Sequence, residues 1–305
     1  MTTAAKPINI RVDTAPNSLW GDVWRQFRKH KMAMVATVIL LGILALILIG
    51  PFLWRIDATK VNIVDSYSDM SPAHPFGTDN LGRDTLARVM FGGRISLAIG
   101  ITSMAIAMTV GSLVGLLSGY YRRLDEPLMR LTDLFLSLPL LPLLLVITML
   151  FRDPLRKTFG TELGIFILTV TIIGVLGWMT TARLVRGEVL AIKEREFVLA
   201  ARSVGTSDLG IIRRHILPNV LSPVIVAATF SIASAIITES ALSFLGLGFP
   251  SDFPTWGRLL FDGKDFMTLL PALAIWPGIM ISLTILCVNF IGDGLRDALD
   301  PRLRK

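Results

Sequence analysis

Residues 32–54 read MAMVATVILLGILALILIGPFLW, a run of 23 residues without a charged side chain. A helix of about 20 apolar residues crosses a hydrocarbon core about 30 Å thick, so this run predicts a membrane span. The run is too long for a signal peptide, and no small-residue cleavage site follows it. Five further stretches also lack Asp, Glu, Lys, Arg and His, namely 95–121, 134–151, 163–182, 216–238 and 266–292. The sequence therefore predicts six transmembrane helices.

The overall composition agrees with a membrane protein. Of the 305 residues, 52% are hydrophobic and only 17% are charged, whereas soluble domains carry about 25% charged residues. We therefore predict an all-α integral membrane protein and exclude an ordinary soluble domain.

The basic residues predict which side of the membrane each loop occupies. Twenty of the 30 Lys and Arg residues lie in alternate segments that share one side: 1–31, 122–133, 183–215 and 293–305. The positive-inside rule places these segments, and both termini, in the cytoplasm. Four units are predicted. Residues 1–31 form a cytoplasmic N-terminal tail, and residues 32–94 form the first helix with its external loop. Residues 95–292 form a five-helix core that contains the 183–215 loop, and residues 293–305 form a cytoplasmic C-terminal tail.

Several classes of function are disfavoured by what the sequence lacks. No ionisable residue lies within a predicted span, which argues against an ion-coupled carrier. There is no P-loop and no H-E-x-x-H or G-x-S-x-G motif, and the three histidines are scattered, so we predict no catalytic, cofactor-binding or metal-binding residue. The single cysteine, Cys287, permits no intramolecular disulfide. No basic patch interleaved with aromatic residues suggests nucleic-acid binding. The remaining function classes are a passive conduit and a scaffold, either of which must obtain its energy from other chains.

The longest predicted cytoplasmic loop is patterned like a helix. One narrow apolar face follows the spacing i, i+3, i+4, i+7 and consists of Phe197, Ala200, Ala201 and Val204. Gly205 stands where this helix would end, and Ser207 can cap a following helix. The pattern fits a short helix that docks in a groove of a partner, or one that lies on the membrane surface. The residues alone leave both open.

Several motifs in this chain resemble those of a known family. EFVLAAR at 196–202, Gly205 and HILPN at 215–219 are similar to the EAA loop of binding-protein-dependent ABC importer permeases. Leu199 departs from that pattern, since it stands in place of the glutamate that gives the loop its name. Further segments resemble the C-type permease of the dipeptide, oligopeptide and nickel importers: Leu19 to Lys31, HPFGTDNLGRD at 74–84, ESALSFLGLG at 239–248 and GDGLRDALDPRLR at 292–304.

The resemblance implies a non-enzymatic subunit with the type I permease fold in a bacterial inner membrane. Its expected partners are a second, homologous permease in a heterodimer, two ATPases or one fused pair that hold ATP and Mg, and an external substrate-binding protein. The chain itself would hold no cofactor. Substrates of such importers include dipeptides, longer peptides, glutathione-like thiols, sugars and nickel. The coupling residues carried over by the resemblance are Glu196, Phe197, Ala200, Ala201, Arg202, Gly205, Leu217 and Pro218. The alternative function is a membrane scaffold or channel without an ATPase.

The spans and their ends contain four further features. Small residues recur every four positions in the second stretch, at Ser103, Ala107, Gly111, Gly115 and Gly119, and such a face serves helix packing or a moving interface. Prolines such as Pro139 can kink the spans. A short helix at 86–91 is expected before the second span, and another after Gly294 that stops at Pro301.

Glu239 is a possible external gate or substrate contact. Its carboxylate, at the end of the fifth stretch, could face a cationic group such as a peptide amino terminus. A helix cap or a salt bridge is the commoner use of an acidic residue at a helix end.

Overall fold

The computed structural model describes residues 19–300, which form twelve α-helices and no strand. The helices are α1 Leu19–Lys29, α2 Lys31–Leu53, α3 Thr85–Tyr120, α4 Arg122–Ser137, α5 Leu140–Phe159, α6 Thr161–Val175, α7 Trp178–Lys193, α8 Glu196–Ser203, α9 Asp208–Ile211, α10 Leu217–Phe244, α11 Trp256–Gly263 and α12 Ala272–Leu299. A π-helical turn, Ile212–Ile216, joins α9 to α10. The predicted tails at 1–18 and 301–305, including the stop at Pro301, lie outside the described residues.

Five helical segments are long and apolar enough to span a membrane: α2, α3, α6 with α7, α9 with α10, and α12. The helices α4 and α5 meet at an angle of 86° and add a sixth pass if the bent pair counts as one broken span. The all-α, multi-span fold is therefore confirmed, but the prediction of a single third span at 134–151 is wrong. The chain breaks before Pro139, because the residue before a proline avoids helical geometry, and Leu138 is extended with ψ 135°.

Three predicted boundaries also differ from the structure. The second span begins at Thr85, ten residues before the charge-free stretch at 95–121, so the expected separate helix at 86–91 belongs to α3. At the other end of the chain, the residues after Gly294 continue α12 through Leu299 and form no helix of their own. The predicted spans were too short because they were limited to charge-free stretches, whereas the helices include charged residues at their ends.

The small-residue face of α3 packs closely against α7. A Cβ atom at Gly111 would lie 2.6 Å from Thr181 Cβ, and one at Gly115 would lie 2.5 Å from the Ala182 carbonyl oxygen. At Gly119 the nearest atom is Val189 Cβ, at 2.7 Å. Because these contacts advance along both helices together, α3 and α7 run in the same direction. We call the end where they both stop the α8 end, and the opposite end, where α3 begins, the α11 end.

Side chains at the α11 end fasten the loop that joins α2 to α3. Asp84 caps α3 by accepting a hydrogen bond from the Ala87 amide (2.7 Å). The same carboxylate accepts a hydrogen bond from Trp54 Nε1 (3.2 Å) and lies 2.9 Å from His74 Nδ1. Asp84 is 1% exposed. One buried carboxylate therefore joins the end of α2, the loop and the start of α3.

Buried ion pairs attach α11 to the start of α3. Arg88 is 1% exposed, and its guanidinium lies 2.9 Å from Asp79 and 3.5 Å from Asp262 of α11. Arg258 makes a second contact with Asp262, at 2.8 Å. A buried guanidinium needs such partners, because an unpaired charge in a protein interior is costly.

We expect a leucine at position 115 to destabilise the protein. Its side chain would enter the contact between α3 and α7, and overpacking costs about 1–3 kcal/mol. The measurement is thermal unfolding of the purified protein in detergent. Gly42→Leu is the matched control, because a Cβ at Gly42 meets nothing within 4 Å. Equal losses of stability in Gly115→Leu and Gly42→Leu would contradict the packing role.

Candidate functional site

Residues 194–216 form the connecting segment, which joins α7 to α10. Its first helix, α8, ends as the sequence predicts. Gly205 has φ +80°, a left-handed conformation that favours glycine, and its amide donates to the Arg202 carbonyl (3.0 Å). The following amide, of Thr206, donates to the Ala201 carbonyl (3.1 Å). Ser207 Oγ accepts a hydrogen bond from the Gly210 amide (3.3 Å) and so caps α9.

The side of α8 that faces the bundle is held by Val198, which sequence analysis missed. Val198 is 0% exposed and packs in a cluster of buried residues from α3, α7, α9, the π-helical turn and α10: Tyr120, Val185, Val189, Ile211, Ile212, Ile216 and Val220. Phe197, Val198 and Leu199 are consecutive apolar residues, so a short helix offers no periodic signal that selects one of them for burial. Only the packing of the bundle decides it.

The apolar face predicted for α8 points away from the bundle. Phe197 is 46% exposed and Val204 is 82% exposed, and Ala200 lies exposed between them. Ala201 is half-buried. Exposed apolar residues grouped on one short helix are typical of a contact surface. The structure thus brings together the residues that the spacing grouped, and three of the four are exposed in the described part of this chain.

The remaining predicted coupling residues surround this face. Glu196 and Arg202 are exposed on α8, while Leu217 and Pro218 are exposed in the first turn of α10. The rings of Phe197 and His215 lie 6.0 Å apart, which links α8 to the π-helical turn. Within residues 19–300, no three His, Cys, Asp or Glu side chains are grouped so that they could hold a metal ion.

Two hydrogen bonds tie the end of α3 to the connecting segment and to the last residue of α7. The Tyr120 hydroxyl donates to Asp208 Oδ1 at 2.6 Å, just after the α8 turn. Before α8, Lys193 Nζ donates to the Gly119 carbonyl oxygen at 3.1 Å. Tyr120 is 8% exposed, so its hydroxyl is held in place by packing. Movement of α8 relative to the bundle must therefore strain or carry the end of α3. Tyr120 and Asp208 are 88 residues apart, and no local pattern relates them.

Glu239 lies at the α11 end, and the structure places it inside the protein. It is 1% exposed, and Oε1 accepts hydrogen bonds from Ser243 Oγ (2.8 Å) and Thr255 Oγ1 (2.7 Å). Thr255 in turn caps α11 by accepting a hydrogen bond from the Arg258 amide (3.1 Å). A carboxylate near the start of a helix also meets a favourable dipole. The carboxylate thus attaches α11 to α10, and the possible contact with substrate is not supported, because the carboxylate has no open surface.

We expect Glu239→Leu to destabilise the protein by about 2 kcal/mol or more, because each buried hydroxyl left without its partner costs about 1–3 kcal/mol. Glu239→Gln keeps an acceptor for Thr255 and should lose less stability. Thermal unfolding of the purified variants measures the difference. Equal losses of stability in the two variants would contradict this attachment role.

Comparison with known proteins agrees with this architecture. Residues 89–305 match the family described as the binding-protein-dependent transport system inner membrane component. Residues 18–72 match the N-terminal transmembrane domain of oligopeptide transport permease C. The fold is also similar to a chain of the MetNI methionine ABC transporter in an inward-facing form, with a TM-score of 0.54 at 18% identity, over 68% of this chain and 95% of that one.

Relatives with known names cover nearly the whole chain. The oligopeptide transport system permease protein OppC of Haemophilus influenzae is 40% identical over 94% of this chain and 90% of its own length. OppC of Bacillus subtilis is 37% identical over 94% of this chain and 91% of its own length. The dipeptide transport system permease protein DppC of Bacillus subtilis is 38% identical over 93% of this chain and 86% of its own length. With its multi-span helical fold and an outward-facing α8, the chain belongs to the binding-protein-dependent ABC transporter permeases, which are multi-pass proteins of the bacterial inner membrane.

Proposed function

We propose that this chain is one of two permeases of an ATP-driven peptide importer. Support for peptides as the substrate comes from relatives whose names refer to oligopeptide and dipeptide transport. The observation that carries the mechanism is the exposed apolar face of α8, in a segment tied to the membrane helices by Val198 and Tyr120. A second, homologous permease completes the pathway as a heterodimer. An external binding protein delivers the peptide.

The energy enters from separate ATPases, two chains or one fused pair, which bind ATP and Mg. This chain is not an enzyme and holds no cofactor. In this proposal α8 is the coupling helix and occupies a groove of an ATPase through Phe197, Ala200, Ala201 and Val204, with Glu196, Arg202, Leu217 and Pro218 at the rim. Closure of the ATPases moves α8, and the contact between Tyr120 and Asp208 passes that movement to α3.

The α8 end lies in the cytoplasm in this proposal, together with both termini. The bias of Lys and Arg residues toward that side supports the orientation, since basic residues are retained on the cytoplasmic side during insertion. Residues 1–31 and 293–305 are then cytoplasmic, and residues 55–84 are external. ATPases can reach α8 only from the cytoplasm, so sidedness and energy coupling support each other.

We expect Ala201→Glu and Gly205→Leu to abolish peptide uptake while the protein is still made and inserted. A glutamate at 201 would place an unpaired charge in the proposed groove, and a leucine at 205 would adopt an unfavourable left-handed conformation beside it. The measurement is uptake of labelled peptide, with ATPase activity of the purified complex measured in parallel.

The matched control is Gly160→Leu in the turn between α5 and α6. Gly160 has φ +83° and Gly205 has φ +80°, and a Cβ at either position meets nothing within 4 Å. Gly160 has ψ 169°, a region essentially restricted to glycine, so a leucine there is strained at least as much as one at Gly205, and only Gly205 adjoins α8. Normal uptake and normal ATPase stimulation in Ala201→Glu would rule out α8 as the coupling helix.

A membrane scaffold or channel without an ATPase is the second candidate. Affinity purification of the tagged chain from its native membrane decides between this candidate and the importer permease. We expect a P-loop ATPase to co-purify with the wild-type chain and to be lost from Gly205→Leu. Retention of the second permease in the same preparation would show that the membrane complex remains intact.

A further inference from the structure

A cavity of about 460 Å³ lies between α3, α4 with α5, α6 with α7, and α10. Both interrupted spans border it at their breaks, through Leu138 on one side and Leu176 and Gly177 on the other. Interrupted helices at membrane depth are tolerated where they are covered by protein or line a cavity that holds water. Both breaks therefore meet at one cavity, whose lining is mostly apolar with a minority of polar side chains.

The side chains around the cavity are neutral. None of the described residues that line it carries a charge, and six carry hydroxyls: Ser103, Thr180, Thr181, Ser231, Ser234 and Thr238. Ser231, Ser234 and Thr238 follow the spacing i, i+3, i+7 and so share one face of α10. A hydroxyl without a hydrogen-bond partner is unsuited to lipid tails, which offer none.

Three of these hydroxyls have no hydrogen-bond partner within residues 19–300. Ser103 Oγ donates to the Val170 carbonyl oxygen (3.3 Å), and Thr238 Oγ1 donates to the Ser234 carbonyl oxygen (2.8 Å). Thr181 Oγ1 makes only a long contact, 3.8 Å, to the sulfur of Met108. The three that remain free are Thr180, Ser231 and Ser234. They are available to whatever occupies the cavity.

We propose that this cavity is a substrate-contact surface of the permease and that Thr180, Ser231 and Ser234 bind the main-chain amides of a passing peptide. The inference rests on the proposed function. A hydroxyl both donates and accepts, so it matches either the N–H or the C=O of a peptide bond. Because the surface carries no fixed charge, it does not select for the charge of the peptide's side chains. Weak neutral contacts also let the substrate leave, as a transport path requires.

The first test measures access to the cavity with a thiol reagent. Cys287 is 3% exposed and is the chain's single cysteine, so Cys287→Ala provides a background for cysteine labelling. In the complete transporter in proteoliposomes, we expect a membrane-impermeant methanethiosulfonate to modify Ser234→Cys. Transported peptide with ATP should slow that modification several-fold. The control is Thr102→Cys, which replaces an exposed hydroxyl of α3 outside the cavity and should not be protected.

The second test introduces a charge. Ser234→Asp should raise uptake of cationic relative to anionic peptides about fivefold, since opposite charges attract strongly where water is limited. Ser234→Lys should shift the same ratio in the other direction. A ratio of two peptides in one preparation is independent of how much protein folds. If a variant imports nothing, the labelling experiment with the uncharged Ser234→Cys decides.

The outcomes separate the two proposals. A wild-type complex that hydrolyses ATP but imports no peptide would overturn the proposed function. Peptide import by Ser234→Cys that remains unreactive with the thiol reagent in every nucleotide state would overturn the cavity assignment alone. It would show that the cavity is filled by a helix of the partner permease or by lipid. Labelling without protection by peptide would likewise exclude substrate contact.

Discussion

The close contact between α3 and α7 is the constraint on which the rest of the structure depends. Glycines at 111, 115 and 119 let the two backbones meet, and a Cβ at any of them would lie within 2.7 Å of an atom of α7. Association of helices in a membrane relies on this kind of packing, because lipid tails provide no hydrophobic drive between helices. The contact brings Tyr120 to Asp208 and Val198 to its cluster. It thereby fixes the base on which α8 is presented.

The features that could be predicted from the sequence are those governed by local chemistry. Runs without charge identify the spans, Gly205 and Ser207 mark a helix end and a cap, and Pro139 marks a kink. The features that could not be predicted depend on distant partners. Arg94 and Arg88 made the second span look short. Arg94 donates to the Ile47 carbonyl oxygen (3.0 Å). The Arg88 guanidinium is buried because Asp79 and Asp262 neutralise it. Glu239 likewise resembled an exposed gate until the hydroxyls that surround it were known.

Polar groups in this protein are divided by depth. Ion pairs fasten the α11 end, and basic residues and an exposed apolar helix occupy the α8 end. Between them lies the cavity, which contains hydroxyls and no charge. Charge and packing thus hold the two ends together, while the proposed surface for the solute is neutral.

The length of α3 has a mechanical consequence. Its 36 residues extend about 54 Å, well beyond a hydrocarbon core of about 30 Å. Gly119 near one end of the helix contacts α7, and Arg88 near the other end pairs with Asp262 of α11. The stretch from Arg88 to Gly119 extends about 47 Å in one unbroken helix. One rigid element therefore connects the base of α8 with α11 at the opposite end of the bundle.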